Sequence, residues 1–236
     1  MECPVIRTLG LIGGMSWEST VEYYRHINRG IGARLGGLHS SSMLLHSIEF
    51  GPVAELQRAG KWEELGQLMA RSALGLERAG AEAIVITSNT MHQVAEAVED
   101  AVRIPLLHIV DPTGKALESA GVKRAGLIGT RYTMELPFWK DRMARRFGIE
   151  IITPEAEDRS MVHGVIFDEL CRGQIRGESR DAFAKVAERL KAAGAEALIL
   201  GCTEVGLLVG PADVTLPVFD TNRCHCEAAV AFSLNA

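Results

Sequence analysis

No apolar run in this sequence approaches the roughly 20 residues that a membrane-crossing helix needs. The stretches at 83–86 and 197–200 are far shorter. A basic leader followed by a long apolar segment is missing too. The chain opens on Glu2, Cys3, Pro4 and Arg7, a start expected of a cytoplasmic protein. The five cysteines, Cys3, Cys171, Cys202, Cys224 and Cys226, are odd in number and contain no CxxC pair. This argues against a disulfide framework and for free thiols. An excess of positive charge is also lacking: 25 Lys and Arg stand against 30 Asp and Glu, a net charge of −5. With the cations scattered there is no electrostatic footprint for nucleic acid. The phosphate loop GxxxxGK[ST], the zinc motif HExxH and the nucleophile elbow GxSxG do not occur, and Gly10, Gly13 and Gly14 miss the GxGxxG spacing. Cys224, His225 and Cys226 resemble metal ligands only superficially, because successive helical residues point about 100° apart and no second pair has zinc-like spacing. No metal is expected.

What is present is the composition of an ordinary globular protein, 47% hydrophobic and 23% charged over 236 residues, enough for one large domain or two small ones. Short runs rich in Val, Ile and Leu at 9–12, 43–46, 83–87, 106–109, 125–128, 150–152, 198–200 and 218–219 read as strands. Longer amphipathic stretches at 17–35, 62–79, 138–146, 162–172 and 180–193 read as helices. This alternation predicts an α/β protein whose mainly parallel sheets are flanked by helices. The sequence also repeats itself. AGAEA at 79–83 returns at 193–197, GLIG at 10–13 returns at 126–129, and a proline before an apolar pair at Pro105 returns at Pro217. The offsets of 114, 116 and 112 residues exceed any solenoid period, so a duplicated half is expected. The expected division is residues 1–110 plus 217–236 for the N-terminal half and 111–216 for the C-terminal half.

Functional groups on parallel sheets gather where strands end and helices begin. Duplication therefore predicts an active site in a cleft between two pseudo-symmetric domains. The offset of 114 pairs Ser88 with Cys202, Asn89 with Thr203 and Thr90 with Glu204. Each tripeptide follows an apolar strand and begins with a side chain that can carry a proton. Two such groups on opposite walls are what inversion at a carbon centre requires. The hydroxyls of Thr130 and Thr133, in the second GLIG-type loop, are either further donors or caps of that loop.

With these motifs in view the sequence resembles the aspartate/glutamate racemase family, most closely its L-aspartate/glutamate-specific branch. The resemblance rests on GLIGGMSWEST at 10–20, LLHS at 44–47, SNTMH at 88–92, IGTRYTM at 128–134, GCTE at 201–204 and PVFDT at 217–221. It implies an isomerase that works without pyridoxal phosphate, any other cofactor or metal, with Cys202 and Ser88 as the catalytic pair. It further implies Asn89, Thr90 and Thr203 at the substrate carboxylates, Met15 and Gln57 at further binding positions, a dicarboxylic amino acid as small-molecule partner, and a homodimer. In that branch the first group is threonine; here it is Ser88. A thiol ionises near 8.5, lower at a helix N-terminus, whereas an aliphatic hydroxyl ionises several units higher, at about 1.4 kcal/mol per unit. Cys202 is thus the expected thiolate base towards the L-enantiomer, and Ser88 a weak donor. Two alternatives stand beside this reading: a decarboxylase or isomerase of dicarboxylates on the same scaffold, and a non-catalytic dicarboxylate-binding protein.

Overall fold

The computed structural model describes residues 5–235; Cys3, Glu2 and Pro4, used above, lie outside them. The chain divides into two compact units. One comprises the residues up to 108 with those from 225 onwards, the other residues 109–224.

In the first unit β1 (Leu9–Gly13), α1 (Trp17–Leu35), β2 (Met43–Ser47), α2 (Phe50–Arg58), α3 (Trp62–Arg78) and β3 (Ala83–Ile86) are followed by a 3₁₀ turn, Thr90–Val94, and α4 (Ala95–Glu99). The strands form a parallel sheet in the order β2-β1-β3. Side chains alternate across a strand, so both faces must be apolar if both are covered. Leu9, Leu11 and Val85 meet Tyr23, Ile27 and Ile31, spaced by four along α1. Ile12, Ile84 and Ile86 turn the other way, onto Leu65, Met69, Ala73 and Leu76 of α3.

The second unit contains α5 (Val110–Ser119), β4 (Arg124–Gly129), α6 (Arg131–Glu135), α7 (Pro137–Phe147), β5 (Glu150–Ile152) and α8 (Ala156–Asp168). A 3₁₀ turn, α9 (Gly177–Ala192), β6 (Ala197–Gly201), α10 (Val205–Leu208) and β7 (Val218–Asp220) complete it. Its strands are parallel in the order β5-β4-β6-β7. The last helix, α11 (Thr221–Ser233), starts in this unit. From His225 on it belongs to the first, where Cys226, Ala229 and Val230 pack with Tyr23, Ile27 and Ile31 of α1.

The sequence repeat has a structural counterpart in each unit. A Cβ on Gly10, in the middle of β1, would press on Leu76 and Ala81; one on Gly126, in β4, would press on Leu190 and Ala195. The glycines of GLIG therefore let the helix and the AGAEA loop lie against the central strand. Glu82 accepts the Thr8 N–H at 2.7 Å, and Glu196 accepts those of Lys123 and Arg124 at 2.7 and 3.3 Å. Ile84 N–H donates to Pro105 and Leu198 N–H to Pro217, each at 2.8 Å.

The copies diverge at one edge. The strand expected at 106–109 is a single bridge, Leu106 to Ile84, whereas its counterpart is the full strand β7. The start of the segment expected with the first half, 217–224, belongs to the second, because β7 hydrogen-bonds to β6. Ile109 and Val110 also pack in the second unit, at the start of α5. The helix expected at 162–172 begins earlier, at Ala156, on a first turn carrying Glu157 and Asp158, and ends at Asp168 before the 3₁₀ turn.

The backbone hydrogen bonds from Lys123, then Arg124, hold the exposed Glu196 carboxyl below its ordinary range. A carboxylate with a depressed folded-state pKa adds stability above its unfolded pKa, and that stability is lost as pH falls through the folded value. Glu196→Gln keeps an acceptor oxygen but removes the charge. Its denaturant midpoint, measured from pH 7 to pH 3, is expected to fall less steeply on the acid side than that of the parent.

Candidate active site

In the second unit the polar cluster begins where β4 and β6 end side by side, Gly129 in register with Gly201. A Cβ on Gly129 would strike the Gly201 carbonyl, and one on Gly201 the Leu127 side chain. These glycines bring the two strand-end loops together. Cys202, Thr203 and Glu204 follow β6 and are 6%, 5% and 3% exposed. Cys202 Sγ–H donates to Glu204 Oε2 at 3.0 Å, and Thr203 Oγ1–H donates to the same oxygen at 2.9 Å. Burial, then the Glu204 carboxylate, then the nearby Cys171 thiol push the Cys202 thiol well above its ordinary range. This reverses the expectation of a thiol lowered by a helix start: α10 has only four residues, and desolvation with an adjacent negative charge outweighs it.

Across the sheet, Thr130 caps α6. Its Oγ1 accepts the Thr133 N–H at 3.2 Å, and the two hydroxyls lie 3.1 Å apart. His163 lies beside Tyr132, ring centroids 5.6 Å apart, and its Nδ1 accepts the Arg131 N–H at 3.3 Å. Burial, then the Arg131 guanidinium, lower its pKa.

In the first unit Ser88, Asn89 and Thr90 follow β3 and are all buried. Asn89 opens the 3₁₀ turn. The loop after β1 is drawn close by Gly14, at φ +91°, where a Cβ would run into the Ile48 carbonyl. Gly14 N–H donates to Thr20 Oγ1 at 2.9 Å, and that hydroxyl lies 3.2 Å from Thr87 Oγ1. Met15 is buried in the cluster that holds Met91 and Val53, and Gln57 Nε2–H donates to the Met91 sulfur at 3.2 Å. Met15, Gln57 and the SNTMH segment therefore converge within this unit.

Behind Ser88 lies a buried imidazole cluster that sequence reading did not assemble. His92 Nδ1–H donates to the Ser88 carbonyl at 2.8 Å, and its ring is 4.6 Å from that of His108 and 5.8 Å from that of His225. His225 Nε2–H donates to the Leu107 carbonyl at 2.6 Å, so in the neutral ring Nδ1 accepts from Tyr23 Oη, 2.8 Å away. His225 thus has a structural function, and no group of three or more potential metal ligands occurs among the described residues.

The family model for Asp/Glu/hydantoin racemases matches residues 12–229. The chain belongs to this racemase family. A putative Asp/Glu racemase from Yersinia pestis is 48% identical, superposes with a TM-score of 0.89, and is covered over 100% of its length by 97% of this chain. An aspartate racemase homologue from Pyrococcus horikoshii OT3 is 29% identical with a TM-score of 0.80, over 97% of this chain and 99% of that one. A broad specificity amino-acid racemase of Bacillus subtilis strain 168 is 21% identical over 72% of each chain. As an Asp/Glu racemase family member the protein is an isomerase, and its α/β fold is that of the two-domain racemases.

In this racemase the residues singled out from sequence fall into two groups. Met15, Gln57, Ser88, Asn89 and Thr90 lie in the first unit, and Thr130, Thr133, Cys202 and Thr203 in the second. The Thr203 hydroxyl proton is committed to Glu204. The repeat offset pairs Glu204 with Thr90 and by itself assigns it no role. The signal that marks it is a carboxylate two residues after a cysteine at the end of a buried strand.

Proposed function

We propose that this racemase interconverts the enantiomers of aspartate and/or glutamate without pyridoxal phosphate or metal, Cys202 removing the α-proton of the L-form and Ser88 serving the opposite face. The observation that carries the reading is the chemical match between the two strand-end segments. A buried thiol follows β6 and a buried hydroxyl follows β3, at equivalent places in the repeat, each leading into polar residues. The names of similar proteins, an aspartate racemase homologue and a broad specificity amino-acid racemase, support the substrate class.

In this mechanism Asn89, Thr90, the Thr203 N–H and the loop after β1 bind the substrate carboxylates. The Cys202 thiolate takes the α-proton, leaving a carbanion whose charge spreads into the α-carboxylate. A proton then arrives from the other face, from the Ser88 hydroxyl or a water it holds. Because a hydroxyl gives up its proton far less readily than a thiol, the two directions are unequal, with turnover from the D-form the poorer. The protein acts as a homodimer in the cytoplasm, in line with the resemblance. No helix among the described residues is long and apolar enough to cross a membrane.

The test is to incubate the protein with each enantiomer of aspartate and glutamate in deuterated water, following α-deuterium uptake and enantiomeric composition. Exchange with net inversion of an L-substrate is expected. Binding without exchange, or no effect on any amino acid, refutes the reading. Ser88→Ala is expected to retain exchange of the L-substrate while lowering inversion about tenfold or more. Equal loss of exchange and inversion would assign Ser88 a different task.

A further inference from the structure

Of the two strand-end groups Ser88 has the harder task, because a hydroxyl surrenders a proton far less readily than a thiol. Placement has to make up for acidity: a reacting group displaced by about 1 Å can cost on the order of 100-fold in rate. The sheet itself reaches only as far as the residue before. The Thr87 N–H donates to the Ile12 carbonyl of β1 at 3.0 Å, and Ser88 lies one position beyond. What holds Ser88 is His92. Its backbone N–H donates to the Asn89 carbonyl at 3.1 Å, and its side-chain Nδ1–H donates to the Ser88 carbonyl at 2.8 Å. One residue thus clasps two successive carbonyls of the strand-end loop. A carbonyl can only accept, so Nδ1 carries the proton.

The ring of His92 is hemmed in by two others. It lies 4.6 Å from that of His108, tilted by 59°, and 5.8 Å from that of His225, at 67°; all three residues are buried. His225 is fixed at both nitrogens, by the Leu107 carbonyl at 2.6 Å and by Tyr23 Oη at 2.8 Å. Leu107 in turn donates its N–H to the Ile84 carbonyl of β3 at 2.9 Å. Anchors on α1, β3 and α11 are thereby brought to bear on one carbonyl, that of Ser88.

We infer that His92 is a positioning residue for the reaction, holding the strand-end loop so that the Ser88 hydroxyl faces the substrate's α-carbon. The inference rests on the reading of Ser88 as the group that serves the face opposite Cys202. His92 acts through Ser88 alone. Without the clasp the Ser88 carbonyl would be a buried acceptor deprived of its donor, and the loop would turn to recover one, carrying the hydroxyl with it. Cys202 belongs to the other unit, so removal of the α-proton from an L-substrate does not depend on the clasp. Asn89 and Thr90 share the turn, so KM rises in every reaction when it loosens, and the signature of positioning lies in turnover at saturating substrate.

The experiment is a double-mutant cycle on the full chain in deuterated water, with α-deuterium uptake and net inversion of L-aspartate and L-glutamate measured at saturating substrate. His92→Leu fills a similar volume without a donor; inversion is expected to fall about tenfold or more, and uptake far less. His92→Asn keeps a side-chain N–H on the same carbon and is expected to restore most of the inversion. In a Ser88→Ala background, His92→Leu is expected to change inversion by less than about twofold, because a residue that acts only through Ser88 has nothing left to place. Equal loss of uptake and inversion overturns the proposal, as does a loss that adds in full to that of Ser88→Ala, or unchanged inversion in folded His92→Leu. Should His92→Leu fail to fold, the parent still decides. Nitrogen-15 NMR of histidine-labelled protein is expected to show a protonated, hydrogen-bonded Nδ1 that disappears in His92→Asn, and an unprotonated Nδ1 at His92 refutes the clasp. Inversion that survives intact in Ser88→Ala would remove the reading of Ser88 itself, a failure distinct from any of these.

Discussion

Cys202→Ala is expected to reduce α-deuterium uptake by L-aspartate and L-glutamate about 10²- to 10⁴-fold, the range that removal of a positioned proton-transfer group typically costs. The substitution deletes one sulfur from a side chain packed among Val205, Leu208 and Leu200, so the cavity is small and the thermal midpoint should shift little. The loss would therefore report chemistry and not unfolding. Ser88→Ala removes a group whose unperturbed acidity is far weaker, so Cys202→Ala is the more damaging variant for the L-substrate. Full exchange by folded Cys202→Ala would refute the assignment of Cys202 as base.

The largest expected effect on stability comes from Trp139→Ala, at about 3–5 kcal/mol. Trp139 lies on α7, which starts at Pro137, a residue suited to the first helical position. Its ring is fully buried in a cluster with Ile109, Val110 and Leu117 of the α5 region, Ala125 and Leu127 of β4, and Ile149 and Ile151 around β5. No smaller side chain fills that volume. Nearby packing leaves little room to collapse: Gly114 lacks a Cβ where the Phe147 ring sits, and Arg142 grips Asp111 through two hydrogen bonds of 2.7 and 2.8 Å. Chemical denaturation followed by far-ultraviolet circular dichroism checks the expectation; a change below 1 kcal/mol would contradict the packing argument.

Much of the fold was legible because the signals were local or repeated. Strands such as 150–152 and the helix 17–35 are marked by apolar runs or spacing that tertiary context did not need to override. The repeated GLIG and AGAEA segments reported a packing unit, glycine strand against helix and loop, that the structure contains twice. The expected strand at 106–109 failed because an apolar run does not say how many hydrogen bonds a neighbouring strand will supply; Leu106 makes one bridge, whereas β7 pairs over three residues.

Within the site, sequence located the strand ends that carry Ser88 and Cys202 but misjudged the electrostatics around the thiol. The pKa of Cys202 is set by burial and by which way the Glu204 carboxylate turns, and residue spacing encodes neither. Thr130 was ambiguous for a related reason: a hydroxyl before a short helix reads the same whether it meets a ligand or caps the chain, and here it caps α6.

The path of α11 has a consequence for biosynthesis. Cys226, Ala229 and Val230 complete the apolar layer that begins with Leu9 and Leu11, yet they emerge from the ribosome long after the residues they cover. The second unit is continuous in sequence and can close on itself while the first still waits for its last wall. A nascent chain stalled before residue 225 would leave Tyr23, Ile27 and Ile31 without the part of their packing that Cys226, Ala229 and Val230 supply, a sticky surface that a holdase chaperone would be suited to shield.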